Sequence, residues 1–130
     1  MSTVLLVDDS AVMRKIIQRK IEQTGLMVDE FVEAGDGKEA LEKVNYNDNI
    51  DLILLDWNMP NMSGIEFVRV LRSLNLPNRI PVVMVTTEGS EAKVSEAKES
   101  GADGYLTKPF TSDQLRDTLG SYLLINNTAK

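Results

Sequence analysis

The chain contains neither cysteine nor histidine. Without cysteine there is no disulfide, no thiolate metal site and no cysteine nucleophile. Without histidine the usual neutral-pH proton shuttle is missing, and with it any Ser-His-Asp relay. Long apolar runs are absent as well. None approaches the roughly 20 residues that a membrane helix needs, and the opening Met1-Ser2-Thr3-Val4 shows no basic region followed by an apolar stretch. The expectation is a cytoplasmic protein with no membrane partner. Positive charge is in deficit, with 14 Lys and Arg against 20 Asp and Glu and a formal net charge of −6. A nonspecific grip on nucleic acid needs clustered cations, so that class of partner is not expected either. Chemistry is left to carboxylates, hydroxyls and amines, and binding to a protein partner or a metal cation.

The 130 residues, 42% hydrophobic and 26% charged, have the size and mix of one globular domain with a sizeable core, expected to span 1–130. No internal repeat, low-complexity stretch or Pro/Gly/Ser-rich linker leads to a second unit, so no attached output domain is expected. Short apolar runs alternate with longer segments of helical period, the pattern of βαβ units around a parallel sheet. Val4-Leu5-Leu6-Val7 is apolar without alternation and reads as a strand buried on both faces. A weaker second strand covers about Val28 to Glu33. Leu52-Ile53-Leu54-Leu55, Pro81-Val82-Val83-Met84-Val85 and Gly104-Tyr105-Leu106-Thr107 read as the third, fourth and fifth.

Ser10 is placed to cap a first helix whose Met13, Ile16, Ile17 and Ile21 share one face and which Gly25 stops. Ala40, Leu41 and Val44 mark a second helix, and Ile65, Phe67, Val68 and Leu71 a third. Leu115, Leu119, Tyr122 and Leu123 give the stripe of a closing helix, and the tail from Asn126 should fray. The fourth helix, from Ser90 to Ser100, offers chiefly Ala92, Val94 and Ala97 and should be loosely anchored. Right-handed crossovers place these helices on both faces of the sheet, which is the α/β doubly wound class.

Polar residues fall at the carboxyl ends of four strands: Asp8 and Asp9 after the first, Asp56 after the third, Thr86 after the fourth and Lys108 after the fifth. In an open α/β sheet that edge is where ligands bind, at the point where strand order reverses. A lone strand-end aspartate is as readily a turn former or a helix cap, and threonine is common in strands. The combination is what carries weight. Three carboxylates in one site repel one another and call for protonation or a cation. With oxygen ligands only, Mg²⁺, Mn²⁺ and Ca²⁺ are the candidates, and Mg²⁺ suits a site with few carboxylates and much water. Pro109 fixes the backbone past the strand end and aims the Lys108 stem across the carboxylates, where a salt bridge to Asp56 is expected. Carboxylates, a hard cation, an amine and a hydroxyl are the parts that phosphoryl transfer uses, and a carboxylate can itself be the nucleophile.

These residues resemble response-regulator receiver domains over nearly the whole chain, and among them the single-domain chemotaxis type. The resemblance rests on Asp8-Asp9-Ser10, on Asp56-Trp57-Asn58-Met59-Pro60-Asn61-Met62 with Gly64, on Val85-Thr86, on Gly101-Ala102 before Tyr105, and on Lys108-Pro109-Phe110. It implies a flavodoxin-like sheet of five parallel strands in the order 2-1-3-4-5 with five helices. It also implies that Asp56 is the phosphoacceptor. Asp9, Asp56 and the backbone carbonyl of Asn58 would ligate Mg²⁺, with Mn²⁺ as a substitute and Asp8 reaching the ion through water. Lys108 would pair with the phosphoryl group, Thr86 would swing its hydroxyl toward it, and Tyr105 would follow inward. The face made of helix four, strand five and helix five would be remodelled. The Lys108-Pro109 bond is expected to be cis on the same ground. Asn58 and Glu88 occupy the two positions that control attack of water on the aspartyl phosphate. Two residues depart from the family pattern: Ser63 replaces the usual Asp before Gly64, and Thr87 replaces a small residue. Ser63 should still cap the third helix.

The resemblance implies a switch rather than an enzyme, with self-phosphorylation and self-dephosphorylation at Asp56 its only chemistry. A histidine kinase, expected to be the chemotaxis kinase, would donate in trans, and the output would be binding by a monomer to a flagellar motor switch protein, with a phosphatase as a further partner. A relay passing phosphate to another protein's histidine would share the same pocket. A constitutively binding pseudo-receiver should have lost part of the constellation, and none of it is missing. A flavodoxin-like cofactor binder should carry a loop rich in Gly, Ser and Thr after strand one, where this chain has Asp8-Asp9.

Overall fold

The computed structural model describes residues 2–46, 49–87 and 89–123; Glu88 and the tail from Asn126 lie outside the described residues. Five parallel strands alternate with five helices among the described residues. The strands are β1 (Thr3–Val7), β2 (Glu30–Ala34), β3 (Leu52–Leu55), β4 (Val82–Thr86) and β5 (Gly104–Thr107). The helices are α1 (Ala11–Gln23), α2 (Gly37–Tyr46), α3 (Gly64–Ser73), α4 (Glu91–Ser100) and α5 (Ser112–Leu119). The sheet order is β2-β1-β3-β4-β5, the doubly wound arrangement that the sequence led us to expect. No helix among the described residues is long and apolar enough to cross a membrane.

β1, β3 and β4 are buried along their whole length, because helices cover both faces of the sheet and leave no side of the strand wet. Alternate residues serve opposite layers. Leu5, Val7, Ile53, Leu55 and Met84 pack with Val44, Phe67, Val68 and Leu71 on one face. Val4, Leu6, Leu54 and Val85 pack with Ile17, Ile21, Leu115 and Leu119 on the other. Full burial of each such side chain contributes about 1.5–3 kcal/mol, so the three central strands form a rigid platform. β2 is an edge strand with only Ala34 buried. It begins two residues later than expected, because Asp29 and Glu30 both donate their N–H groups to the Ser2 carbonyl, at 2.8 and 3.2 Å, and pairing with β1 starts there.

Helix starts follow the side chains that cap them. Ser10 accepts the Met13 N–H at 3.1 Å to open α1. Ser63 caps α3 as expected, in a capping box completed by Glu66, and Thr111 forms a capping box with Gln114 at α5. α5 stops at Leu119, short of the expected stripe. Tyr122 and Leu123 lie in the turn beyond it, with N–H bonds of 2.9 and 3.0 Å back to the Leu119 carbonyl. Ile16 is 39% exposed, so α1 buries a narrower face than its periodicity implied, carried by Ile17 and Ile21. α4 buries Ala97 alone, which agrees with the loose anchoring read from its composition.

The amino edge of the sheet uses its carboxylates structurally. Asp29, Asp51 and Asp103 accept the N–H groups of Ser2, Thr3 and Val82 at 2.6, 2.8 and 2.9 Å. Asp103 is paired in addition with Arg72 at 2.9 Å.

Candidate functional site

At the carboxyl edge the aspartates meet a cation instead. β1 and β3 are neighbours on either side of the point where strand order reverses. Asp8, almost wholly buried, follows β1, and Asp56, half-buried, follows β3. The Asp56 N–H donates to the Val7 carbonyl at 2.9 Å, which holds the two strand ends in register up to the site. Asp9 stands beside them and is exposed. One carboxylate oxygen from each of Asp8, Asp9 and Asp56 lies within 4.8 Å of the others.

The Lys108 ammonium reaches this cluster, but its nearer partner is not the expected one. It donates to Asp8 Oδ2 at 2.9 Å and stands 3.7 Å from Asp56 Oδ2. The expected Lys108–Asp56 pair is therefore the longer arm of a shared interaction. Asp8 is the more buried carboxylate, and an ionised group so placed needs a hydrogen-bonded counter-charge most. Asp8 Oδ1 in turn accepts the Ser10 N–H at 2.8 Å, and Asp56 Oδ1 accepts the Trp57 N–H at 2.8 Å.

Burial pushes the Asp56 carboxyl above its ordinary value. The Lys108 ammonium opposes that shift, the Asp8 carboxylate adds to it, and hydrogen bonds from the Trp57 N–H and the Thr86 side chain again oppose it. Three carboxylates (−3) facing one ammonium (+1) leave −2 at the cluster, a charge that one divalent cation would cancel. The all-oxygen donor set fits a hard cation of the Mg²⁺ kind.

Thr86 ends β4, is fully buried, and pairs in register with Thr107. Its carbonyl accepts the Lys108 N–H at 2.8 Å, so hydroxyl and amine are carried by two directly bonded strand ends. The Lys108-Pro109 peptide is cis, as expected. Tyr105 is not among the carboxylates. It lies opposite Met84, two register steps back along β5, half-buried against the cluster that includes Trp57 and Ala97. Asn58 is exposed in the loop after Trp57, Thr87 lines a cleft with Ile16 and Lys108, and Glu88 is outside the described residues.

Two details of the loop from β3 to α3 hold Asp56 in place. The Gly64 N–H donates to the Trp57 carbonyl at 2.8 Å, and a Cβ on Gly64 would overlap the Asp56 carbonyl oxygen, so only glycine allows this approach. Asn61, at φ 68°, donates from Nδ2 to Asp36 Oδ2 at 2.8 Å and braces this loop against the one before α2.

Arg14 is a site-supporting residue that the sequence reading missed. Its Nε donates to Glu33 Oε1 at 2.8 Å and its Nη1 to the Asp8 carbonyl oxygen, which pins the chain where β1 turns into the acidic loop. The only signal for it in the sequence is a basic residue one turn into the helix after an acidic pair. That pattern is too common to be specific.

The family model for the response regulator receiver domain matches residues 4–120. The chain is 39% identical over 123 residues to chemotaxis protein CheY1 of Helicobacter pylori, covering 95% of this chain and 98% of that one. A CheY homolog of Campylobacter jejuni is 39% identical over 119 residues, covering 92% of this chain and 90% of its own. Among solved structures, chemotaxis protein CheY4 of Vibrio cholerae superposes with a TM-score of 0.81 at 40% identity, over 95% of this chain and 99% of that one.

Proposed function

Because the chain belongs to the response-regulator receiver domains of two-component signalling, we propose that it is a phosphorylation-dependent switch whose acceptor is Asp56. The observation that carries this reading is the convergence of the Asp8, Asp9 and Asp56 carboxylates within 4.8 Å, with the Lys108 ammonium reaching both Asp8 and Asp56. An Asp56 carboxylate oxygen attacks the phosphorus of a phosphohistidine on a histidine kinase. The P–N bond breaks, its electron pair returns to the imidazole nitrogen, and an acyl phosphate remains on Asp56. Burial makes the Asp56 carboxylate more basic than an exposed one, and therefore a better nucleophile once ionised.

Asp9, Asp56 and the Asn58 carbonyl would hold Mg²⁺, or Mn²⁺ in its place, with Asp8 reaching the ion through water. When bound, the metal supplies neutralising charge for the phosphoryl oxygens. Lys108, parked on Asp8 at rest, takes up the incoming phosphoryl charge. Thr86, hydrogen-bonded to Asp56 at rest, turns its hydroxyl to the same group, and Tyr105 moves inward behind it. Asn58 and Glu88 govern the attack of water that returns Asp56 to the free carboxylate. Self-phosphorylation and its reversal at Asp56 are the only chemistry assigned to the chain, which we read as one receiver unit over 1–130 acting through binding.

The named chemotaxis relatives support a chemotaxis kinase as donor and a flagellar motor switch protein as the partner of the phosphorylated form. The test is incubation with Mg²⁺ and a small acyl phosphate. The wild type should gain the mass of one phosphoryl group and Asp56→Asn should not. Pull-down of a motor switch protein should then succeed only with phosphorylated wild type. No mass gain in wild type with Mg²⁺ present would refute the switch, and equal capture of both forms would refute the partner.

A further inference from the structure

Lys93 stands in the first turn of α4, where its N–H donates to the capping Ser90 Oγ at 3.2 Å. This is the unfavourable end of a helix for a cation, because the unpaired N–H groups there carry partial positive charge. The ammonium has a compensating partner. It lies 4.6 Å from the centroid of the Trp57 ring, inside the roughly 6 Å over which an aromatic face attracts a cation. Trp57 is itself fixed: it is 7% exposed, its N–H is bonded to Asp56 Oδ1, and its carbonyl accepts from the Gly64 N–H. α4, by contrast, buries Ala97 alone. Its charged tie to α3, Arg69 to Glu96 at 3.6 Å, joins two exposed side chains and contributes little.

The geometry points to Lys93 as a positioning residue: its ammonium, seated on the Trp57 ring, latches the N-terminal turn of α4 to the residue that follows the acceptor aspartate. Trp57 is then shared between two jobs, bonding the reacting carboxylate through its backbone and holding the thinly buried helix through its ring. The regulatory meaning of the latch rests on the switch reading, whereas its existence is a property of the unphosphorylated chain and is tested there.

The experiment measures amide hydrogen exchange across α4 in the full, metal-free chain, in a double-mutant cycle of Lys93→Met and Trp57→Leu. Lys, Met and Arg have similar helix propensity, and the cycle cancels the helix-dipole relief that Lys93→Met brings in either background. Lys93→Met should speed α4 exchange by about 2- to 5-fold more in the wild-type background than in Trp57→Leu, the factor that corresponds to one part-exposed cation–π contact. Lys93→Arg should exchange as wild type does. Trp57 is the sole tryptophan, so its emission gives a second readout that survives failure of Trp57→Leu to fold: Lys93→Met should shift it. Equal effects of Lys93→Met in both backgrounds, or emission from Lys93→Met superimposable on wild type, would overturn the proposal. The phosphorylation test above is separate, since absence of a mass gain there leaves both readouts unchanged.

Discussion

Replacing Gly64 by alanine should damage the acidic site although no charged or polar side chain is touched. The new Cβ would overlap the Asp56 carbonyl oxygen and stand 3.1 Å from both the Asp56 carbonyl carbon and the Trp57 Cα. These are backbone atoms, so nothing can rotate away, and the loop carrying Asp56 and Trp57 must move. Overpacking of this kind costs about 1–3 kcal/mol, and losing the Gly64–Trp57 main-chain hydrogen bond costs about 1 kcal/mol more. Against that, alanine for glycine in a helix returns about 0.5–1 kcal/mol. The net loss of about 1–3 kcal/mol leaves a domain of ordinary stability, about 5–15 kcal/mol, folded. With a urea slope of about 2 kcal/mol/M, the unfolding midpoint should fall by about 0.5–1.5 M. Trp57 emission gives this midpoint and also gives a Mg²⁺ titration, in which Gly64→Ala should respond at higher metal concentration than wild type. Gly25→Ala is the control. Gly25 sits at φ 83° with nothing within 4 Å of its Cβ position, so it should lose stability with an unchanged Mg²⁺ response. A Gly64→Ala protein with the wild-type midpoint and the wild-type metal response would refute the close-approach argument.

Two further substitutions separate charge from geometry. Burial raises the Asp56 carboxyl above its ordinary 3.8, so the metal-free native state loses stability as pH climbs through that raised value. Asp56→Asn should therefore be more stable than wild type at neutral pH in a chelator, with the advantage gone below about pH 3.8 and reduced by saturating Mg²⁺; denaturant titrations across pH in which wild type is the more stable at pH 7 would contradict this. Arg14→Gln removes the Glu33 pair and the bond to the Asp8 carbonyl, and should weaken Mg²⁺ binding about 10-fold, as outer-shell partners do, with the folded far-UV spectrum retained. Unchanged metal affinity would show that Arg14 does not hold the acidic loop.

The parts of this molecule legible in the sequence are those where one physical demand acts alone. β1, β3 and β4 are buried on both faces and read as unbroken apolar runs. β2 is an edge strand, and its start is set by two main-chain bonds to Ser2 that no pattern announces. Tyr122 and Leu123 continue an apolar stripe past the end of α5 because the turn after Leu119 folds them back toward it. The gathering of Asp8, Asp56, Thr86 and Lys108 was legible because parallel strands bring their carboxyl ends to one edge. Which carboxylate takes the lysine was not, since that depends on relative burial. Asp29, Asp51 and Asp103 show why residue type alone would have misled: the same side chain at the amino edge accepts main-chain N–H groups at or just before strand starts.

That α4 buries a single alanine has a consequence for signalling noise. In a switch read out through α4, so little apolar contact would let two positions of the helix lie within a few kcal/mol of each other, with the minor one populated in roughly 0.1–10% of molecules before any phosphate arrives. Each copy of such a switch would then contribute a fixed background of spurious output. That background would rise with copy number and not with stimulus, so expression level would set the quietest state the circuit could reach. Deepening the α4 contact would lower that floor, and would raise by the same free energy the differential affinity a phosphoryl group must supply to move the helix.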